Sequence, residues 1–314
     1  MRNQRLITRG LLAAVLAAVG SAVSASAQTT LTTQEQTTVQ KAAPTAFAVG
    51  QGPEGVATDG TNVFVANQFG DTVTRLSADG AVAGTYQVGR RPVALAYDGA
   101  HLWVANYLSD NVMRLDPSSG AVVGTYAVGE GPGGLLVAGG NVWVANRNSD
   151  TLTKLRASDG VTLGTYEVGT RPVGMATDGA YIYVTNNNSD TVTKLRASNG
   201  VTVGTFTVGD GPFGIAFDGT SLWVANFGSS NVMKLGTDGM LQGTFKVGDG
   251  PVSAIHHGGV IYVVNNGGDS VSKLSATDGA SLGSLAVGRS PIGVAASGST
   301  IWVTNSGSNT VTKR

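Results

Sequence analysis

The positions with most scope for chemistry in this sequence follow seven regularly spaced prolines. These stand 39 or 40 residues apart, at Pro53, Pro92, Pro132, Pro172, Pro212, Pro251 and Pro291. The residues directly after them are Glu54, Val93, Gly133, Val173, Phe213, Val252 and Ile292. A metal or acid–base site built from these positions would need several carboxylates, amides or imidazoles to converge. Only Glu54 is ionisable, so the pattern argues against a hydrolase and predicts no catalytic residue, metal site or cofactor.

The three histidines are a second possible source of acid–base chemistry. His256 and His257 occupy the positions that Thr58 and Asp59 hold in the first unit, and His101 lies at an equivalent turn of another unit. No His and Glu stand at matching positions, so we interpret the histidines as structural or surface residues. The adjacent pair could still change charge with pH.

Residues that vary between otherwise similar units are more informative, because the architecture does not dictate them. Aromatic and arginine residues occur in the turns that precede the prolines and in those that follow a repeated asparagine. Exposed aromatic rings beside arginine suit stacking on sugars, peptide side chains or unpaired bases. The predicted binding residues are therefore Phe69, Arg91, Tyr107, Arg147, Arg171 and Phe227. The alternative, that these are ordinary variable loop residues, stays open.

Three polar series recur in step with the prolines. Asparagine ends each apolar run, at Asn67, Asn106, Asn146, Asn186, Asn226, Asn265 and Asn305. We interpret these side chains as capping or starting their turns, together with Asp71, Asp110, Asp150, Asp190 and Asp269. A cationic series comprises Arg75, Arg114, Lys154, Lys194, Lys234, Lys273 and Lys313. Its members are expected to form a solvated face that discourages edge pairing between sheets.

These positions belong to a repeated unit of four short strands. In the first unit the predicted strands are an inner strand at 54–58, an apolar strand at 63–66, a half-exposed strand at 71–76 and an outer strand at 84–88. The continuously apolar second strand is expected to be covered on both faces. Asp-Gly turns separate the strands, as tight hairpins require. A period near 40 residues built from such strands is typical of a β-propeller blade.

The inner strands and the chain ends predict how the blades assemble. Small residues such as Gly55 precede larger ones such as Val56, so one blade's bulky face is expected to fill the bare face of the next. The seventh unit stops after its third strand, and residues 45–49 match the missing outer strand. Pairing of these pieces would hide an exposed edge. The sequence therefore predicts an all-β, closed seven-bladed propeller of four-stranded antiparallel blades over residues 45–314.

The first 44 residues have a different character. Arg2, Arg5 and Arg9 precede a short apolar run, and Ala25-Ser26-Ala27 resembles a small-residue cleavage site. This pattern predicts a signal peptide at 1–27, followed by a flexible Thr- and Gln-rich leader at 28–44. We expect an exported protein, periplasmic or extracellular, with no membrane span after cleavage.

Composition narrows the classes of partner. The chain of 314 residues has no Cys, and its 20 Lys and Arg balance 20 Asp and Glu. Loss of Arg2, Arg5 and Arg9 with the signal peptide would leave 17 basic and 20 acidic residues, a net charge of −3. Such a balance offers no general attraction for nucleic acid. A nucleic-acid partner is therefore not expected, and we predict a monomer.

The repeats resemble a known family. Residues 183–186 read Tyr-Val-Thr-Asn, and residues 302–305 and 103–106 read Trp-Val-Thr-Asn and Trp-Val-Ala-Asn. With the Val-Gly-x-x-Pro turns and the Ser-Asp-Thr-Val-Thr-Lys-Leu run at 189–195, the chain from about residue 45 resembles the exported bacterial YVTN-repeat (NHL-like) β-propellers. It is more distantly similar to virginiamycin B lyase-type and gluconolactonase-like propellers. The resemblance implies the fold and not a chemistry, because one fold supports many functions.

Together these patterns favour a non-enzymatic binding or scaffold protein. It would recognise a protein, a glycan or another cell-envelope component through loops on one face of the propeller. The first alternative is a streptogramin lyase-like or lactonase-like enzyme acting at the mouth of the central channel. The second is a structural component of a surface layer.

Overall fold

The structure, a computed structural model, describes residues 45–314, and every regular element in that range is a β-strand. The predicted signal peptide and leader lie outside the described residues. No helix in the described range is long and apolar enough to cross a bilayer.

The strand bounds repeat with the period of the sequence. They are β1 (Thr45–Ala48), β2 (Pro53–Thr58), β3 (Val63–Asn67), β4 (Thr72–Leu76), β5 (Val82–Gln87), β6 (Pro92–Tyr97), β7 (Leu102–Asn106), β8 (Asn111–Leu115), β9 (Val122–Ala127), β10 (Pro132–Ala138), β11 (Asn141–Asn146), β12 (Thr151–Arg156), β13 (Thr162–Glu167), β14 (Pro172–Thr177), β15 (Tyr181–Asn186), β16 (Thr191–Arg196), β17 (Thr202–Thr207), β18 (Pro212–Phe217), β19 (Ser221–Asn226), β20 (Asn231–Gly236), β21 (Leu241–Lys246), β22 (Pro251–His257), β23 (Val260–Asn265), β24 (Ser270–Ser275), β25 (Ser281–Ala286), β26 (Pro291–Ser297), β27 (Thr300–Asn305) and β28 (Thr310–Lys313).

The strands form seven four-stranded antiparallel sheets, the blades of a propeller. Blades 1 to 6 each use four consecutive strands, from β2–β5 to β22–β25, and blade 7 has the order β26-β27-β28-β1. Each inner strand contacts the next around the ring, and β26 contacts β2. The predicted closed seven-bladed propeller is confirmed.

The ring closes by pairing of the first described strand with the last. Thr45 lies opposite Lys313 and Ala48 opposite Thr310 in the β1–β28 register. The Val49 N–H donates to the Asn309 carbonyl at 3.1 Å, which extends the pairing beyond β1. Blade 7 therefore has the same number of strands as the others, and the outward edge of β28 is paired.

The core lies along the second strand of each blade. Every residue of β3, β7 and β19 is buried, which confirms that these apolar strands are covered on both faces. The largest fully buried side chains include Trp103, Trp143, Trp223 and Tyr183, one in each of four blades. Phe64 and Trp302 are the buried rings at this position in blades 1 and 7, and in blade 6 the ring of Tyr262 is partly buried. These rings pack between neighbouring blades and contribute to the apolar core around the propeller.

The third strand is less exposed than the sequence predicted. In β4 four of five residues are buried, whereas the outer strand β5 is mainly exposed. The half-exposed character belongs to the outer strand, because a third strand in a stacked blade is covered by the neighbouring blades on both sides. The alternation of Thr and apolar residues in the third strand does not distinguish these two environments.

The cationic series is also not simply a solvated face. Lys154 is buried, and its Nζ donates to the Ala197 and Ser198 carbonyls of the next blade at 2.8 and 3.2 Å. Arg114 is buried likewise and donates to the equivalent carbonyls at Ala157 and Ser158. The side chains of Arg114 and Lys154 extend from one blade to backbone carbonyls of the next, so their charge-assisted hydrogen bonds link adjacent blades.

The small inner-strand residues meet backbone rather than bulky side chains. A Cβ at Gly174 would overlap the Phe213 carbonyl, and one at Gly293 would overlap the Glu54 carbonyl. The inner strands converge on the propeller axis, so the backbone of the next blade occupies the space expected for its side chain. The predicted close stacking of the blades is confirmed, but the space beside each small residue is filled by backbone of the next blade and not by a large side chain.

Candidate binding site

The two kinds of variable turn lie side by side on one face of the propeller. In each blade an N–H of the turn after the repeated asparagine donates to a carbonyl of the proline turn. The Tyr107 N–H donates to the Arg91 carbonyl at 2.9 Å, and the Arg147 N–H donates to the Gly131 carbonyl at 3.0 Å. Equivalent bonds join the other five pairs of turns. We call the surface made by these fourteen turns, around the channel mouth, the mouth face.

The repeated asparagines support the mouth face from below. Asn186 is buried, and its Nδ2 donates to the hydroxyls of Thr191 and Thr193 at 3.0 and 2.8 Å. A Cβ on Gly169 of the proline turn would lie 2.7 Å from the Asn186 amide. The Asn186 side chain thus bonds the second strand to the third and packs against Gly169 of the proline turn. The Asn186 amide bonds to strand residues, whereas Asn305 Oδ1 accepts from the Gly288 N–H of a proline turn at 2.9 Å.

The aspartates bond to the turn of the following blade. The Arg91 N–H donates to Asp71 Oδ1 at 2.7 Å, and the Arg171 N–H donates to Asp150 Oδ1 at 2.8 Å. These bonds cap turns, as predicted, but they do so across a blade boundary.

The backbone of Arg91 and Arg171 is unusual. Their φ angles are 53° and 57°, in the left-handed region, whereas four of the other blades have glycine at this position. A non-glycine residue there costs about 1–3 kcal/mol and often marks a functional position. The Asp71 and Asp150 bonds hold both arginines in this conformation at the rim of the channel.

A cavity of about 260 Å³ opens at the centre of the ring, lined by the residues that follow the prolines. Arg147 enters it from the turn of blade 3. A Cβ at position 133 would overlap the Arg147 Nε, so the guanidinium occupies space that exists because this residue is glycine. The guanidinium carbon lies 5.3 Å from the centre of the Phe213 ring.

The hydrogen-bonding capacity of Arg147 is largely unused. Its Nη2 donates to the Gly133 carbonyl at a long 3.4 Å, and its buried Nε has no hydrogen-bond partner among residues 45–314. Ion pairs within 4.0 Å in this range include His101–Asp98 and Arg156–Asp159. Arg147 and Glu54 share the cavity without forming such a pair.

Glu54 and Arg147 shift each other's titration. Burial raises the pKa of Glu54 above its ordinary value, and the charges of Arg147 and Arg91 oppose this rise. Burial lowers the pKa of Arg147, Glu54 raises it, and the like charges of Arg171 and Arg91 lower it. Ionised Glu54 is therefore disfavoured by desolvation, and the cavity holds more positive than negative charge.

The structure places all six predicted residues on the mouth face, and it brings four of them together. Arg91, Tyr107, Arg147 and Arg171 interact electrostatically around the cavity, and the Arg91 guanidinium lies 4.9 Å from the centre of the Tyr107 ring. Phe69 and Phe227 are 66% and 45% exposed and flank this group in blades 1 and 5. Their rings rest against the proline turns at Gly52 and Gly250.

Sequence reasoning missed three contributors to the cavity. Glu54 was set aside as a single ionisable residue, and Phe213 and Gly133 were assigned no role. A signal existed, because Gly133 is the one glycine among the residues after the prolines, and Arg147 is the one cation directly after a repeated asparagine. Nothing in the sequence joined these two exceptions in space.

The histidines lie away from the cavity. His257 Nε2 is 2.7 Å from the Gly298 carbonyl, His101 is 3.9 Å from Asp98, and His256 is exposed. All three stand at or near the turns on the face opposite the mouth. The described residues contain no cluster of three or more His, Cys, Asp or Glu side chains able to hold a metal ion.

Comparison with solved structures identifies the architecture. Virginiamycin B lyase from Staphylococcus aureus superposes with a TM-score of 0.76 at 17% identity, over 86% of this chain and 98% of that one. The fold is that of virginiamycin B lyase. A streptogramin B lyase gives 0.76 at 16% identity, over 86% of this chain and 96% of that one. Kuenenia stuttgartiensis hydrazine synthase gives 0.76 at 20% identity, over 85% and 96%.

These similarities concern the fold alone. No family model matches the sequence, and no curated protein matches it. The neighbours bear the names of different enzymes, a lyase and a synthase, on one architecture. A histidine-to-alanine variant of the Staphylococcus aureus lyase is described as catalytically inactive. None of the histidines among residues 45–314 lines the central cavity of this protein.

Proposed function

We propose that the protein is an exported, non-enzymatic propeller of the YVTN-repeat type that binds a protein, glycan or cell-envelope partner through its mouth face. The observation that supports this most is the pair of left-handed arginines, Arg91 and Arg171, at a position where most blades have glycine. Three blades have a non-glycine residue in this left-handed conformation, Arg91, Arg171 and Ser290, and two of the three are arginines.

The exposed aromatic residues support the same surface. Phe69 and Phe227 are large apolar side chains on turns, where water would otherwise favour polar residues. Aromatic and arginine residues are enriched at the energetic centres of protein interfaces. Their position on short turns held by backbone hydrogen bonds keeps the surface ordered before binding, which reduces the entropic cost of association.

The test is capture of partners by a variant that lacks the rings. Immobilised wild-type protein and the F69A/Y107A/F227A variant would be compared on a glycan array and against fractionated cell-envelope components. We expect the variant to lose a specific ligand that the wild type retains, because it lacks the exposed aromatic area. A matched control removes three exposed apolar residues from the outer strands, as V82A/V122A/V203A. Equal capture by the wild type and the aromatic variant would refute the assignment of this face.

A second candidate function, a self-assembling structural role, is supported by the rim of the propeller. The exposed large apolar residues in or beside the outer strands include Val82, Val122, Leu163, Val203, Leu241 and Leu282. Outer strands also carry unpaired backbone groups, which can pair with another chain. Sedimentation velocity over a wide concentration range tests this role: concentration-dependent assembly reduced by L163K supports it, and a single monomeric species at every concentration excludes it.

A further inference from the structure

We infer that the cleft between blades 3 and 4, on the face opposite the mouth, binds a small organic carboxylate. The ligand would take the place of an aspartate side chain that three other blades provide and that blade 3 lacks. The indole N–H of Trp143 would donate to it, and the ammonium group of Lys154 would supply the opposite charge. The site lies away from the mouth face, so the inference goes beyond the proposed function.

The first step is the hydrogen bond that other blades make at this place. In blade 2 the Trp103 Nε1 donates to Asp98 Oδ2 at 2.7 Å, and in blade 5 the Trp223 Nε1 donates to Asp218 Oδ2 at 2.7 Å. In blade 4 the ring is a tyrosine, whose hydroxyl donates to the corresponding aspartate at 2.8 Å. The aspartate stands five residues before the ring in each blade. A carboxylate is therefore the regular partner of this buried polar ring.

The second step is that blade 3 keeps the ring and lacks the carboxylate. Ala138 stands five residues before Trp143. Trp143 is fully buried, and its Nε1 has no hydrogen-bond partner within residues 45–314, although buried tryptophans usually find one. The Trp143 ring lies 5.7 Å from the outer-strand tyrosine of its blade at an angle of 34°, close to the 5.5 Å and 31° of Trp103. The indole thus has the orientation seen in blade 2, with its N–H directed towards position 138.

The third step is the space left beside this N–H. The cleft has a volume of about 570 Å³, and its lining includes Ala138 and Lys154 of blade 3 and Ala180 of blade 4. The corresponding cleft beside Asp218, between blades 5 and 6, has a volume of about 340 Å³. The larger volume lies within the usual range for small-molecule sites, and the alanine methyl groups suit a short alkyl chain.

The fourth step is the charge of the cleft. Lys154 is buried, and its ammonium group, which has three donors, makes two hydrogen bonds, to the Ala197 and Ser198 carbonyls. Its Nζ lies 5.0 Å from the centre of the Trp143 ring. Burial lowers the pKa of Lys154, and no residue that lines the cleft within the described range is acidic. A carboxylate on the indole N–H would supply the missing counter-charge.

Blade 7 provides a comparison that limits the site to blade 3. Ser297 stands five residues before Trp302, so this ring also has no aspartate. The cleft beside it has a volume of only about 100 Å³, and the Ser297 hydroxyl donates to the Gly60 carbonyl at its edge. Blade 3 therefore combines the missing carboxylate with room for a ligand, and blade 7 does not.

The experiment follows the indole N–H resonances of the four tryptophans by NMR while isotope-labelled wild-type protein is titrated with sodium butyrate at constant ionic strength. We expect the Trp143 resonance alone to shift, because Trp103 and Trp223 already bond to aspartates and the cleft beside Trp302 is small. W143F identifies the resonance. Butyramide, the neutral amide, should bind at least about tenfold more weakly, since it cannot accept a charge-assisted hydrogen bond.

Two variants make the test specific. A138D restores an aspartate at the place where blades 2, 4 and 5 have one. It should move the Trp143 resonance towards those of Trp103 and Trp223 and abolish the response to butyrate. A100D is the matched control, because it adds the same charge to the exposed hairpin turn of blade 2, away from the cleft. It should respond to butyrate as the wild type does.

Each outcome decides for or against the site. An unchanged Trp143 resonance, equal shifts of the other indoles, equal binding of butyramide, or a response that persists in A138D overturns the inference. An equal response to inorganic phosphate would indicate a general anion site and overturn the choice of a carboxylate. Tighter binding of a blocked peptide with one glutamate would assign the cleft to a polypeptide side chain and overturn the choice of a small molecule. If A138D does not fold, the comparison of butyrate with butyramide on the wild type still decides.

Discussion

The closing strand can be tested by comparing two equivalent phenylalanines. Phe47 in β1 lies 5.9 Å from the Trp302 ring, and Phe245 in β21 lies 5.4 Å from the Trp223 ring. Each phenylalanine also packs on a turn glycine of the next blade, Gly80 for Phe47 and Gly279 for Phe245. The two sites differ mainly in that Phe47 belongs to the strand that joins the ends of the ring.

The structure sets the expected magnitude. Phe→Ala at a fully buried site costs about 3–5 kcal/mol. Both rings are half-buried, which reduces this to roughly 2 kcal/mol, and the aromatic contact adds about 0.5–1 kcal/mol. We therefore expect F47A and F245A each to lower the free energy of unfolding by about 2–3 kcal/mol.

The assay is urea denaturation followed by tryptophan fluorescence, with hydrogen exchange of β1 and β28 as a second readout. F47A should also increase exchange in β28, since that strand loses its neighbour, whereas F245A should leave β28 protected. A loss below about 0.5 kcal/mol in F47A beside a full loss in F245A would show that β1 contributes little, and the reasoning about closure would be refuted.

Three further predictions concern buried polar groups. N186A should lower the free energy of unfolding by about 2–3 kcal/mol, because two side-chain hydrogen bonds are lost in the core. The control N188A changes an exposed turn residue and should cost less than about 0.5 kcal/mol, so equal urea midpoints for the two variants would contradict this prediction. K154M should lower the free energy of unfolding by about 1.5–3 kcal/mol, because it removes the hydrogen bonds of the ammonium group to the next blade. K273M is the control in thermal melting, since Lys273 stands at the equivalent position but makes no such bonds within residues 45–314. Similar losses of stability in both variants would contradict the role assigned to Lys154. Burial raises the pKa of Glu54, so native protein keeps a proton that the unfolded chain has released, and stability should fall as pH rises from about 4.3 through the raised native pKa. E54Q should abolish this fall in urea titrations at several pH values, and identical pH profiles for both proteins would refute the effect.

The architecture was predictable because it is repeated. The proline and asparagine spacing, the buried apolar strands and the role of residues 45–49 each follow from patterns that recur in seven copies, so a local error in one copy does not alter the result. The exposure of the third strand was mispredicted because alternation reports a pleated strand and not what covers it.

The site was only partly predictable, because it depends on exceptions to the repeat. The aromatic and arginine residues were identified as departures from the pattern, and the structure places them on one face. The entry of Arg147 into the cavity depends on the missing side chain at Gly133, fourteen residues earlier in the chain. Such a coincidence is a property of packing in three dimensions. The same is true of Lys154, whose reach to the next blade no local pattern reveals.

The Thr304 hydroxyl donates to the Glu54 carbonyl at 2.6 Å, across the junction between blades 7 and 1. The seam of the ring and the acidic wall of the central cavity are therefore neighbours. The Ser297 hydroxyl and the Lys313 ammonium also donate to carbonyls of blade 1, at Gly60 and Ala78. The junction that completes the ring is therefore bonded at several points between the central cavity and the outer side of the propeller.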